Sequence, residues 1–454
     1  MAAVTALAVA VSIAPASAQP RSGGGPPIIR DAEIEQLLRD YTRPILKAAG
    51  LVQQNVEVVI INDRAFNAFV MDGRRIFVNA GALFDAPTPN QIIGVLAHET
   101  GHISGGHLSK MRQEMANAQT QMILATLLGV GAMVASATAG GGSRGDAGQI
   151  GMAALSAPGE FIKRSLLSYV RQQEEQADKA AVKFLTATGQ SAKGMHETFR
   201  RFAEQSMFTS RFVDPYVQSH PMPTERVRAL EEVARTSPYW DKTDPPELQL
   251  RHDLMRAKLA GFLDRGDTIA RRYPASNTTL PARYARAISA YRFSDIRGAV
   301  GQIDELIQIQ PNNPYFHELK GQALLESGRG AEAIPALRRA VSLAPGSNLI
   351  RSMLAQALIA SNDARHADEA IAILRDVLVH EKELVSGYRQ LAMAFGRKGD
   401  LAQADLASAQ ASFAGGDFKT ARELATRAKT RLPTGSPGWV KADDIATYRP
   451  RKQN

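Results

Sequence analysis

The chain has 454 residues, with 54 basic against 45 acidic side chains for a formal charge of +9, and no cysteine. That length holds two or more domains, and the missing thiols exclude disulfides and cysteine-ligated metals, leaving His, Asp and Glu as ligands. The positive balance comes without a basic block or a groove-reading module, so nucleic acid is a poor partner and a solvated surface facing an anionic envelope accounts for it.

Ala2 to Ala18 is an uncharged, Ala/Val-rich run that closes on Ala16-Ser17-Ala18, the pattern of a signal-peptidase site. It predicts a signal peptide over residues 1–18, a linker over 19–29 and export to the periplasm. The first basic residue is Arg21, so either the true start lies upstream or the signal is atypical. Val56 to Ile61 then reads as a strand. Ala68-Phe69-Val70-Met71, the Asp72-Gly73 turn and Arg75 to Val78 read as a β-hairpin.

Thr88-Pro89-Asn90-Gln91 offers an N-cap threonine, a proline at the first helical position and a glutamine to complete a capping box. A helix is expected over Gln91 to Leu108. It carries His98-Glu99-Thr100-Gly101-His102, an H-E-x-x-H motif. Residues four apart share a helix face, so both imidazoles can reach one metal while Glu99 stands beside them as a general base. By chance such a motif recurs in roughly one chain in a hundred of this length, so it needs a third ligand. His107 falls about 180° around a continuous helix from His98, which predicts a packed or hydrogen-bonding histidine instead.

Met115 to Ser143 has no charged residue, but its apolar part is weakly hydrophobic and runs into Gly140-Gly141-Gly142. An apolar helix over the cleft, or one touching a membrane surface, fits it better than a span. Glu174 and Asp178 lie four apart on a second expected helix that runs to about Thr188, with Gly189 as its stop. The spacing allows one carboxylate to bind metal and the other to hydrogen-bond a ligand histidine or the substrate; it equally allows a solvated charged face. His220, in Ser219-His220-Pro221, reads by itself as a turn-capping histidine.

H-E-x-x-H followed some seventy residues later by E-x-x-x-A-D resembles the gluzincin metallopeptidases typified by HtpX and the CAAX prenyl proteases. The resemblance implies an α+β, mainly helical zincin-like domain with one zinc ion per chain. It makes Glu174 the third ligand beside His98 and His102, and Asp178 a ligand-orienting or proton-donating residue. It also casts Asn67-Ala68-Phe69 as part of a substrate-pairing edge strand. A soluble, TPR-bearing envelope branch of the family has an S/T-H-P segment at the place of His220, which makes that histidine a candidate fourth switch ligand that keeps the enzyme latent.

Beyond residue 280 the sequence repeats every 34 residues, the tetratricopeptide (TPR) period. Ala287, Gly321 and Ala355 share one small-residue position, Ala299 and Ala333 another, and Pro311 and Pro345 end successive repeats. Ala370 continues the register after about three inserted residues near Asn362 to His366, and Ala404, Ala421 and Pro433 follow more loosely. Paired helices packed through small residues stack into an all-α solenoid with a binding face. The expected plan is a peptidase domain over 30–235, a helical connector over 236–279, TPR over 280–435 and a tail over 436–454. The expected function is zinc endopeptidase action, which the resemblance directs to misfolded or stalled outer-membrane proteins and their assembly, with the TPR face docking either a misfolded client or a partner such as the β-barrel assembly machinery. The competing class is a non-proteolytic TPR chaperone or scaffold with a structural zinc.

Overall fold

The computed structural model describes residues 27–117, 119–120, 144–208, 215–363 and 365–449, with backbone only over 144–165. The signal and linker expectations over 1–26, and most of the apolar stretch 115–143, lie outside the described residues. No helix among the described residues is long and apolar enough to cross a membrane. By its internal contacts the chain divides into two units, Leu37–His252 and a second one from Asp253 onward that includes the described residues up to Gln36.

In the first unit the strand Arg75–Asn79 pairs in parallel with Glu57–Ile61 and antiparallel with Ala68–Val70, with Phe69 opposite Phe77. The hairpin forms where Gly73 takes a φ of 75° and the Asp72 carboxylate accepts the backbone N–H groups of Arg74 and Arg75. Only a residue without a Cβ adopts that φ freely. Ala68–Val70 ends the sheet and packs against the helix Pro89–Ser104, which carries H-E-x-x-H.

That helix differs from the expectation at both ends. Thr88 stands at the N-cap, but its side chain makes no cap bond. The Asp244 carboxylate accepts from the Asn90 N–H instead, so a distant residue supplies the charge-dipole complement that the local pattern promised. The helix stops at Ser104 instead of Leu108, because Gly106 (φ 62°) breaks it. The second helix, Arg144–Ala187, closes where expected: Gly189 has a φ of 66°, and Gln190 N–H returns to the Leu185 carbonyl.

The second unit is entirely helical from Gly266–Arg272 to Pro437–Thr447, apart from its connections. Each repeat buries its small residues completely: Ala287, Ala299, Ala333, Ala355 and Ala370 are at 0% exposure. A Cβ on Gly321 would stand 2.4 Å from Leu337 Cγ, so glycine is what lets that helix pair close. The inserted residues near Asn362 appear as the longer connection 361–365, with Asn362 at a φ of 60°. N-caps recur at Asp295, Asn313, Ser347, Asp400, Asp417 and Ser436, each accepting a first-turn N–H. The buried Lys258 ammonium is neutralised in the same unit by Asp31 at 2.8 Å and Glu33 at 3.3 Å, and Tyr284 donates to Glu33.

Candidate metal centre

Two helices and one loop build the site. Gly101, one of the unspecified positions of H-E-x-x-H, has no side chain because a Cβ there would stand 2.7 Å from the Ala177 carbonyl oxygen. This close crossing brings Glu174 and Asp178, one turn apart, against the turn that holds His98 and His102. The loop contributes His220, whose N–H bonds the Tyr216 carbonyl at 2.7 Å at the end of the short helix Pro215–Ser219.

His98 Nε2 lies 3.0 Å from His102 Nε2 and 3.3 Å from His220 Nδ1. Glu174 places its two oxygens 3.2 and 3.1 Å from His220 Nδ1, and 3.4 Å from both His98 and His102. Three imidazole nitrogens and a carboxylate aimed at one point repel each other unless a cation lies between them. Donors about 2.0–2.1 Å from a tetrahedral ion stand roughly 3.3–3.4 Å from one another. The observed spacings match that, and these four residues can present donor atoms all within 4.8 Å. The donor set therefore fits a metal ion.

The electrostatics agree. Burial would depress His98, but the Asp178 and Glu174 carboxylates outweigh it and raise the imidazole to about 9. Burial takes His102 down to about 3, which keeps that imidazole neutral, the form that can ligate a metal. Burial raises Glu99, whose two oxygens are inaccessible and have no hydrogen-bond partner. A buried carboxylate without a hydrogen bond, with His220 Nε2 3.4 Å away, is placed to take up a proton.

Two residues without a catalytic assignment from sequence prove to hold this geometry. Arg226 grips Asp178 with Nε to Oδ2 at 2.7 Å and Nη2 to Oδ1 at 2.8 Å, reaches Glu174 at 2.8 Å, and donates to the Pro221 carbonyl. Burial alone would raise Asp178; the guanidinium instead holds it at about 2. Asp178 Oδ1 lies 2.9 Å from His98 Nδ1, within reach to orient that ring. The only sequence signal was an arginine six residues beyond the S-H-P histidine. His107 was expected opposite His98 on a continuous helix. The Gly105-Gly106 break turns it back, and His107 Nδ1 lies 3.0 Å from His102 Nδ1, fixing that ring's orientation. A Cβ on Gly105 would strike the His107 ring at 2.2 Å.

The candidate substrate segment lies on the sheet's last strand and the residue before it. Asn67 accepts the Asn79 N–H through its carbonyl, Ala68 is fully buried, and Phe69 stacks on Phe77 with centroids 5.4 Å apart.

The fold and donor set define a metallopeptidase, and comparison agrees. Residues 29–234 match the profile of Peptidase family M48, and residues 284–348 and 324–391 match tetratricopeptide repeats. The chain thus carries an M48 peptidase domain followed by TPR repeats. Among its relatives is the beta-barrel assembly-enhancing protease of Escherichia coli, 22% identical over 91% of this chain and 82% of that protein. A Vibrio cholerae relative, 24% identical, aligns over 64% of this chain and 58% of its own length. Metalloprotease LoiP of Escherichia coli is 28% identical over 42% of this chain and 70% of its own.

Proposed function

We propose that the protein is a zinc endopeptidase of the periplasm that acts on misfolded or stalled outer-membrane proteins and assists their assembly, with its TPR region docking the assembly machinery. The carrying observation is the convergence of His98, His102 and Glu174 beside a buried Glu99 without a hydrogen bond. Borderline nitrogen and oxygen donors in a compact four-atom set favour zinc. The envelope setting rests on the Ala16-Ser17-Ala18 run and on relatives named for β-barrel assembly.

When bound, zinc supplies Lewis-acid polarisation of the scissile carbonyl and lowers the pKa of a water toward neutrality. Glu99 takes the proton from the attacking water as the new C–O bond forms. It then delivers that proton to the departing amine nitrogen as the C–N bond breaks. Asp178, held ionised by Arg226, orients His98, while His107 orients His102. Strand Ala68–Val70 pairs with an extended substrate through its open edge. His220, whose ring joins the same donor cluster, would compete with water for the ion and so hold the resting enzyme back. The competing scaffold reading leaves Glu99 without a task.

Glu174→Ala should lose stoichiometric zinc, measured by elemental analysis, together with casein hydrolysis. Full zinc and full activity in that variant contradict the ligand set. Mass spectrometry of protein from its native host should find a mature chain starting at Gln19. Retention of Met1 to Ala18 contradicts the cleaved export signal.

A further inference from the structure

A cavity of about 420 Å³ opens among the helices Gly266–Arg272, Leu280–Phe293 and Ile296–Ile309. Arg283, Arg286, Ser289 and Gln302 give it a polar wall, and Ala270 and Ala290 an apolar one beside the buried Ile269. The two arginines are three residues apart on one helix and so stand side by side. The carboxylate in the lining, Glu305, is 3.7 Å from Arg283 with its side chain 63% exposed. At that distance and exposure it neutralises little.

Arg286 is immobilised without an anion. Its Nη1 donates to the carbonyls of Tyr273, Pro274 and Asn277 at 3.2, 2.9 and 2.8 Å, and it has no carboxylate at ion-pair distance among the described residues. Burial first, and the like charge of Arg283 second, press its pKa below the ordinary arginine value. Arg283 is held more lightly, with Nε donating to the Thr278 carbonyl at 3.1 Å. A pre-positioned pair of cations, one of them without a carboxylate partner and the other with a single exposed one at 3.7 Å, suits an anion. Guanidinium forks match carboxylates in a planar, two-point contact. Ligand pockets span roughly 300–1,000 Å³, so this cavity is large for a bare ion but suited to one peptide residue.

We infer that this cavity binds a carboxylate of an extended peptide, with the adjoining side chain on Ala270 and Ala290. The site is separate from the metal centre, and its binding test does not read hydrolysis. The carboxylate has two possible sources, a chain's C-terminus or an acidic side chain.

Fluorescence anisotropy on the full chain carrying Glu99→Gln, so that probes survive, decides the matter. Three labelled glycine-serine pentapeptides ending in leucine serve: a free acid, its neutral C-terminal amide, and an amide with an internal glutamate. A charged probe should bind saturably, with the neutral amide at least about tenfold weaker. A tighter free acid identifies a chain terminus; a tighter glutamate probe identifies an acidic side chain. Arg283→Ala should weaken the charged probe by about tenfold, and Ala290→Trp, which fills the cavity, should abolish binding. Neither substitution should alter casein hydrolysis when Glu99 is intact. The inference is overturned if the three probes bind alike, if none binds up to about 1 mM, or if both variants keep the parental affinity.

Discussion

His220 is the residue whose reading changes most between sequence and structure. By itself, a histidine before proline caps a turn; here its Nδ1 lies among the atoms that face the metal position, within 3.3 Å of His98 Nε2 and 3.2 Å of Glu174 Oε1. A protein nitrogen there competes with water and substrate for one coordination site. His220→Ala should therefore raise basal casein hydrolysis and self-cleavage while zinc stays near one per chain. A variant no faster than wild type ends the switch assignment and leaves His220 as a turn cap or a substrate contact. The residue-scale site was legible for His98, Glu99 and His102, because H-E-x-x-H is a local rule about one helix face. Arg226 and His107 were not, because each acts through a partner distant in sequence or across a broken helix. Nothing in local spacing announces that Arg226 meets both Glu174 and Asp178.

At the scale of elements, the crossing of Pro89–Ser104 over Arg144–Ala187 sets where the ligands meet. Gly101 makes it possible, since a Cβ there would stand 2.7 Å from one backbone atom and 3.0 Å from another in Ala177. Neither helix can relieve such a clash by moving a side chain. Gly101→Ala should lower stability by about 1–3 kcal/mol, the usual cost of overpacking, and weaken zinc binding by displacing Glu174. Thermal melts followed by circular dichroism, with zinc titration, check this; an unchanged midpoint with unchanged zinc affinity contradicts it. The hairpin around Gly73 and the stop at Gly189 were readable because each rests on a few adjacent residues. The helix ends at Ser104 and not Leu108 because Gly106, which the apolar periodicity runs past, takes a φ of 62° that breaks it while Gly105 stays right-handed. The capping box failed for a different reason: Asp244, far along the chain, supplies the bond that Thr88 does not make.

Across the whole molecule, the mainly helical peptidase domain was implied by the family resemblance that H-E-x-x-H and E-x-x-x-A-D carry, and the TPR region after it followed from the 34-residue repeat. Small residues at fixed positions carry the repeat because paired helices leave no room for larger ones there, as Gly321 against Leu337 shows. The cavity with Arg283 and Arg286 was invisible to that reading, since a repeat pattern records what packs and not what is left open. The account rests centrally on Glu99 as a proton carrier beside a metal that other residues hold. The direct measurement compares wild type with Glu99→Gln for casein hydrolysis and for zinc content. The variant should lose about 100-fold or more in hydrolysis, the usual contribution of a positioned base, with zinc still near one per chain. Hydrolysis near the wild-type rate at full zinc content contradicts the account.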